Sequence, residues 1–351
     1  MTLPAEPVNA LVWAGGSNFE FVALPLPLLG EGESLVRLTT STLCGSDRHT
    51  VSGRRSQPCP SILGHEGVGI VQDTRNPDLV VGQRVTFSVI APCLQCDRCM
   101  SGRTAKCREV LKTGHEPIHG KWPLSGTYST HILLRKNQLV VDVPDALADA
   151  PASVSACAGA TVMAVREAAC TSAQTFENKR VVVMGVGMLG LIAVEAAVRD
   201  GAASVIAVDL SEERLRWARD VGATETLPPD EYATTALPES VDISLEFSGT
   251  PAGVKACLAP LDIGGTAVLA GSVADSPNTQ INPEWLVRGW RTVTGVHNYE
   301  PRHLQQAVDF LASSSIPWDE VIGEPIALSD VPGAFSTPPN ETMRTAIRID
   351  S

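Results

Sequence analysis

Cys93, Cys96, Cys99 and Cys107 fall within fifteen residues, in the pattern C-x2-C-x2-C-x7-C. No other feature narrows the possible folds as much. Four thiolates this close along the chain can close a tetrahedron around one zinc ion, with Zn–S bonds of ~2.3 Å. Such a site has no open position, so its role is structural and it names no reaction. Disulfides are the alternative, but they suit small secreted domains, and this chain is long. A closed metal site invites the search for a second, open one.

Length and charge bound the rest. A chain of 351 residues points to two domains. The formal charge is 27 − 39 = −12, with no basic block. Nucleic acid, which calls for a cationic face, is therefore not an expected partner. The N-terminus lacks a basic segment followed by an apolar run, and no apolar stretch approaches ~20 residues. The expectation is a cytoplasmic protein with no membrane partner.

The chain changes texture near Pro151. Before it come short β-prone runs separated by Gly and Pro: Leu11–Trp13, Ser34–Thr40, Val68–Val71, Arg84–Val89, Tyr128–Leu134 and Leu139–Val143. An Ala-rich helical stretch, Pro151 to Ala169, then leads into alternating strands and helices. Strands are expected at Arg180–Met184, Ser204–Val208, Val241–Glu246 and Thr266–Leu269. Helices are expected at Leu189–Val198 and after the N-capping Ser211. Continuous apolar strands alternating with helices indicate a parallel, doubly wound α/β sheet. A last helix carries Leu304, Val308 and Leu311. The alternating Arg344–Ile349 segment reads as a strand that rejoins the first domain.

Gly185-Val186-Gly187-Met188-Leu189-Gly190 is G-x-G-x-x-G between an apolar strand and a helix, the context that gives this motif its meaning. Gly185 permits the tight turn, Gly187 lets backbone approach a pyrophosphate, and Gly190 lets the helix pack closely. The first helical residues, Met188 and Leu189, bring the helix N-terminus to the phosphates. Asp209 ends the next strand, where a carboxylate accepts the ribose hydroxyls of NAD and repels the 2′-phosphate of NADP. Arg214, one turn on, keeps NADP open as the lesser alternative. Gly271 and Ser272 follow a later strand, where a backbone turn would meet the nicotinamide.

Upstream of the four-cysteine lobe stand Cys44-Gly45-Ser46-Asp47-Arg48-His49 and Gly64-His65-Glu66-Gly67, one thiol and one imidazole for an open metal site. With the lobe, the glycine turn and Asp209 in this order, the chain resembles the zinc-dependent medium-chain alcohol dehydrogenases over nearly its whole length. The resemblance implies a GroES-like catalytic domain (residues 1–152 and 296–351) and an inserted Rossmann domain (153–295). It implies two zinc ions per chain, NAD as cofactor, and a homodimer or homotetramer. Cys44, His65 and Cys157 match the ligands of the catalytic zinc, and Glu66 a carboxylate behind the metal that can join them. Asp47 matches the acceptor for the His65 ring N–H. Ser46 and His49 match the relay that carries the substrate proton to solvent. The reaction so implied is reversible hydride transfer between a primary or secondary alcohol and the nicotinamide. At Gly126-Thr127-Tyr128-Ser129-Thr130 the chain departs from the Gly-Gly-Phe-Ala-Glu type of run that many relatives carry.

The substrate is less legible. Arg48, Arg54 and Arg55 could attract an anionic group, and Trp122 could wall the pocket within the Thr113–Trp122 loop. The Ser52–Arg55 and Gly295–Tyr299 runs are similar to a bacterial subgroup linked to phosphonate metabolism, which implies a phosphonate- or phosphate-bearing alcohol. A polyol, cyclitol or threonine-type substrate is the alternative. A metal-independent quinone or enoyl reductase of the same fold would lack the cysteines, and a non-catalytic nucleotide-binding protein is the remaining rival.

Overall fold

The computed structural model describes residues 7–170, 175–235, 240–337 and 342–350. The chain divides into two compact units. The first holds residues up to Ala160 together with Glu300–Ala312 and Trp318–Ser351. The second holds Thr161–Tyr299 and Ser313–Pro317. The division falls after Ala160, not at 152, so Cys157 belongs to the first unit.

The first unit is built on strands whose alternate residues are apolar. Its main sheet runs in the order Val140–Asp142, Arg84–Phe87, Gly67–Thr74, Ser34–Leu43, Arg344–Arg348, Ile322–Ala327, with His131–Leu134 also paired to Ser34–Leu43. The terminal strand joins as expected, antiparallel to Ser34–Leu43, with Ala346 opposite Thr42. A smaller sheet orders Asn18–Leu24, Val8–Gly15 and Ser61–Ile62. Between them lies a core that includes Leu11, Leu38, Ile62, Leu63, Phe87, Trp122 and Tyr128.

Two expectations need correction here. Trp122 is no pocket wall: it is fully buried in that core and its indole N–H donates to the Leu133 carbonyl at 2.7 Å. An indole whose one polar atom finds a backbone acceptor is as settled in a core as an aliphatic side chain. The Tyr128–Leu134 strand begins only at His131. Tyr128 instead bonds outward to two partners, its N–H to Leu63 O (3.1 Å) and its carbonyl to Leu11 N (2.8 Å).

The expected helix from Pro151 to Ala169 is interrupted. Asp149–Val154 and Ala160–Ala169 are α-helical, but Ser155–Gly159 forms a π-helical turn. Nothing in the Ala-rich composition signals it, because a π turn inserts one residue without changing local propensity. The helix Pro301–Leu311 lies against this turn: a Cβ on Gly159 would come 3.1 Å from the Cβ of Ala307.

The second unit is a six-stranded sheet, parallel throughout, in the order Glu225–Leu227, Ser204–Val208, Arg180–Met184, Val241–Glu246, Leu261–Leu269, Thr292–Gly295. In chain order within the unit this is 3-2-1-4-5-6, the dinucleotide-binding arrangement, whose direction reverses beside the first strand. Three of the expected strands match residue for residue, and the fourth extends back to Leu261. The edge strands Glu225–Leu227 and Thr292–Gly295 are too short and too polar to announce themselves in sequence.

Candidate active site

The glycine turn has the demands its motif suggests. Gly185 sits at φ +91°, a conformation that side chains resist. A Cβ on Gly190 would strike the Gly185 carbonyl, whereas one on Gly187 would meet nothing within 4 Å. Gly187 caps the helix Met188–Arg199, so free N–H groups face open space at the switch point of the sheet. Met188 is buried and Leu189 partly exposed. The Asp209 carboxylate accepts the Val186 N–H at 2.7 Å and the Ser211 N–H at 2.9 Å, with Arg214 Nη1 3.7 Å away. Asp209 therefore holds the turn as well as marking the end of its strand. Gly271 lies against Gly249: a Cβ there would come 2.5 Å from the Phe247 carbonyl carbon, and Ser272 beside it is exposed.

In the first unit two groups of side chains converge. Cys93, Cys96, Cys99 and Cys107 bring four sulfurs within 4.8 Å of one another. All nine cysteines are free thiols, which removes the disulfide reading. The lobe is preorganised by its backbone. Cys93 N–H points to Cys107 Sγ at 3.3 Å, Cys96 N–H to Cys93 Sγ at 3.4 Å and Glu109 N–H to Cys107 Sγ at 3.3 Å. N–H donors of this kind favour thiolate; backbone bonds from Arg108 and Cys99 draw Cys96 down to about 6, whereas burial pushes Cys99 up to about 12 and raises Cys107. The Glu300 carboxylate clamps the lobe from outside, accepting Thr104 and Ala105 N–H groups at 3.0 Å each.

The second group is Cys44, His65 and Cys157, whose donor atoms also lie within 4.8 Å. Three different devices place them. Cys44 caps the short helix Gly45–Val51, and its N–H is held by Asp47 Oδ2 at 3.2 Å. His65 follows Gly64, which has φ +86° and whose Cβ would collide with Thr127 Oγ1 and, at 2.6 Å, with the Tyr128 ring. Cys157 projects from the π turn. Asp47 Oδ1 stands 3.3 Å from His65 Nδ1, an ion-pair contact not aligned as a hydrogen bond, which leaves Nε2 as the nitrogen available to a metal. Two thiols and an oriented imidazole are a donor set suited to zinc with a position left open.

The electrostatics set the two thiols apart: hydrogen bonding with Cys44, then burial, pushes the Cys157 thiol well above its usual range. Hydrogen bonding from Cys157 and, against burial, the charge of Arg344 pull the Cys44 thiol well below its usual range. Burial disfavours charge on His65, but Asp47 and Cys44 outweigh it and raise its pKa. Ser46 Oγ lies 3.3 Å from His65 Nε2, and His49 is one turn further along the same helix, half-buried. Burial, then Arg54, lowers the His49 pKa.

Glu66 takes a different place from the three ligand candidates. It is fully buried, and its carboxylate is bound by Arg344 (3.1 and 3.3 Å) and by Thr42 Oγ1 (2.6 Å). Burial raises it to about 7 in spite of Arg344. Arg344 also reaches Cys44 Sγ at 3.6 Å. Sequence reasoning missed Arg344 because its strand shows only an alternation, with nothing to say that one cation faces inward. It also missed His115, whose ring meets that of His65 edge to face at 5.4 Å. Burial, then His65 and Arg55, push His115 down to about 3, so it stands neutral.

Of the three arginines expected near substrate, Arg48 is committed elsewhere, donating to the Ala334 and Thr337 carbonyls at 2.9 and 3.0 Å. Arg54 and Arg55 have no ion-pair partner among the described residues. Arg54 is exposed, and the Arg55 N–H bonds the His49 carbonyl at 3.0 Å. The Gln57 amide ties this loop to the Gly114 carbonyl at 2.8 Å, beside His115.

Comparison with known proteins bears on the fold and the family. Residues 30–145 match the alcohol dehydrogenase GroES-like domain and residues 189–313 the zinc-binding dehydrogenase domain. The chain is 26% identical over 346 residues to sorbitol dehydrogenase of Bacillus subtilis, covering 95% of this chain and 94% of that one. It is 28% identical over 327 residues to L-threonine 3-dehydrogenase of Streptomyces coelicolor, covering 89% and 90%. Its fold is that of a zinc-binding dehydrogenase of Sinorhizobium meliloti solved with NADP, with TM-score 0.86 and 24% identity over 97% of this chain and 99% of that one. No helix among the described residues is long and apolar enough to cross a membrane. The chain belongs to the zinc-dependent medium-chain dehydrogenases, oxidoreductases acting on CH–OH groups.

Proposed function

We propose that the protein is a two-zinc, NAD-linked dehydrogenase that interconverts an alcohol bearing a phosphonate or phosphate group with its ketone or aldehyde. The observation that carries the zinc chemistry is the convergence of Cys44, His65 and Cys157 donors within 4.8 Å, with Asp47 behind the imidazole. Zinc held there would act as a Lewis acid toward the substrate oxygen, and NAD would accept the hydride.

The chain's own residues do the rest. Asp47 fixes the His65 ring so that Nε2 faces the site. Ser46 would take up the substrate's hydroxyl proton while giving up its own, and His49, one helical turn on, would carry the released proton to solvent. A His49 pKa lowered by burial and by Arg54 keeps that imidazole neutral and able to accept. Gly185, Gly187, Met188, Leu189 and Gly190 hold the pyrophosphate at the helix N-terminus. Asp209 favours NAD by accepting the ribose hydroxyls and repelling a 2′-phosphate, and the proximity of Arg214 is what supports the NADP alternative. Gly271 and Ser272 shape the turn near the nicotinamide. Cys93, Cys96, Cys99 and Cys107 hold a structural zinc.

Arg54 and Arg55 are what support an anionic substrate: two guanidinium groups beside His49, without an ion-pair partner among the described residues, in a chain of net charge −12. The similarity to sorbitol and threonine dehydrogenases supports the second reading, a polyol, cyclitol or amino-alcohol substrate. A homodimer or homotetramer completes the proposal, supported by the exposed Val287 and Trp290 next to the edge strand Thr292–Gly295.

The test is a screen of phosphonate-bearing alcohols, polyols, cyclitols and threonine with NAD and NADP, following reduced nicotinamide. Turnover of a phosphonate alcohol, with KM raised about tenfold in Arg55→Ala, supports the reading. Turnover of neutral polyols alone, indifferent to Arg55→Ala, refutes the anionic part.

A further inference from the structure

Tyr128 places a phenolic hydroxyl in the core of the first unit, and its environment gives that hydroxyl something to do. The side chain is fully buried. Its hydroxyl donates to Asp47 Oδ2 at 3.0 Å. That same oxygen accepts the Cys44 N–H at 3.2 Å, while Oδ1 of the same carboxylate faces His65 Nδ1 at 3.3 Å. One carboxylate therefore touches the backbone of one ligand candidate, the ring of another, and the Tyr128 hydroxyl.

The tyrosine is held as firmly as what it supports. Its N–H and carbonyl are both bonded, to Leu63 and Leu11. Its ring packs edge to face on Phe335 at 6.4 Å and passes through the space left by the missing side chain of Gly64. The neighbouring Thr127 pairs its hydroxyl with Ser41 at 2.6 Å, and Ser41 bonds the Glu66 carbonyl at 2.8 Å. Burial, reinforced by Asp47, raises the Tyr128 pKa well above its ordinary value, so the phenol keeps its proton and donates.

We infer that Tyr128 is a positioning residue for the catalytic metal site, acting through Asp47 to fix His65 and Cys44 and so to retain zinc. The inference rests on the reading of Cys44, His65 and Cys157 as a zinc site. A hydroxyl donated to a buried carboxylate restricts its rotation and shares its charge. Without it, Asp47 keeps two contacts but loses its side anchor.

The test uses the full-length holoenzyme and measures release of its two zinc ions to a chelator, the catalytic ion being identified by its absence from Cys44→Ser. Tyr128→Phe removes only the hydroxyl. It is expected to lose the catalytic zinc about three- to tenfold faster than wild type and the structural zinc at the wild-type rate. Phe335→Leu disturbs the ring's packing but keeps the hydroxyl, and is expected to leave catalytic zinc release unchanged. With cobalt in place of zinc, Tyr128→Phe should shift the d–d bands of the mixed thiolate–imidazole site and leave those of the four-cysteine site in place. Equal release in Tyr128→Phe and wild type overturns the inference. So does parallel acceleration at both sites, or the same selective loss in Phe335→Leu. A wild-type chain that holds a single zinc would instead refute the metal-site reading beneath it.

Discussion

The two thiol clusters of the first unit are made of similar donors and are built in opposite ways. The Cys93–Cys107 lobe is local: four sulfurs within fifteen residues, arranged by their own backbone N–H groups and clamped by one distant residue, Glu300. The Cys44–His65–Cys157 cluster is distributed: its candidate ligands span 157 − 44 = 113 positions of sequence and come from a helix cap, a glycine-bent loop and a π turn. Around the second stand Asp47, Tyr128, Glu66, Arg344 and Thr42, every one of them buried. A local cluster needs little support, because a short chain segment closes it, and what it supplies is stability. A distributed cluster must be held by the whole unit, and what it supplies is a defined geometry with a position left open.

That contrast can be broken by mutation. The largest effect is expected at the distributed site. Cys44→Ser or His65→Ala should reduce turnover by at least about a thousandfold and leave NAD binding, measured by nicotinamide fluorescence, close to wild type. Next comes Arg344→Ala, which strands the fully buried Glu66 carboxylate without its cation. At alkaline pH it should cost about 3–5 kcal/mol of stability, read by denaturant unfolding, and less at neutral pH, where a carboxyl raised to about 7 even beside Arg344 takes up a proton. Arg344→Ala with Glu66→Gln should recover part of that loss, because the orphaned charge is gone. At the local site, Cys99→Ser should lower the melting temperature by about 10 °C if loss of structural metal costs about 3–4 kcal/mol. Its residual turnover at low temperature should stay within a few-fold of wild type. If Cys99→Ser were instead inactive but fully stable, the division between the clusters would fail. The smallest effect is expected in cofactor choice. Asp209→Ala should weaken NAD by about tenfold and narrow the preference over NADP, since a charge-assisted acceptor for ribose is lost.

The same contrast governs what the sequence discloses. The lobe, the glycine turn, Asp209 and three parallel strands are legible because each is a short-range pattern whose physics lies within a few residues. Cys44 and His65 stand out because their neighbours, Asp47 and Gly64, are part of their local geometry. Arg344 and Tyr128 are not legible as site residues. Their roles come from strands and turns that meet only in the folded unit, and neither residue type is unusual where it stands. Trp122 misled for the reverse reason: a large aromatic in a loop next to the site looks like a wall until its indole is found bonded to Leu133 inside the core. The π turn under Cys157 is the clearest limit. It places a ligand candidate, yet the Ala-rich run around it reads as one uninterrupted helix.

The proposed function requires two metal sites in one unit doing separate work. Zinc content per chain, measured on purified wild type and Cys44→Ser alongside turnover, tests that division most directly. Two zinc ions are expected in the wild type and one in Cys44→Ser, with turnover lost and the melting temperature of the lobe's unit largely kept. Two zinc ions and wild-type turnover in Cys44→Ser would contradict it.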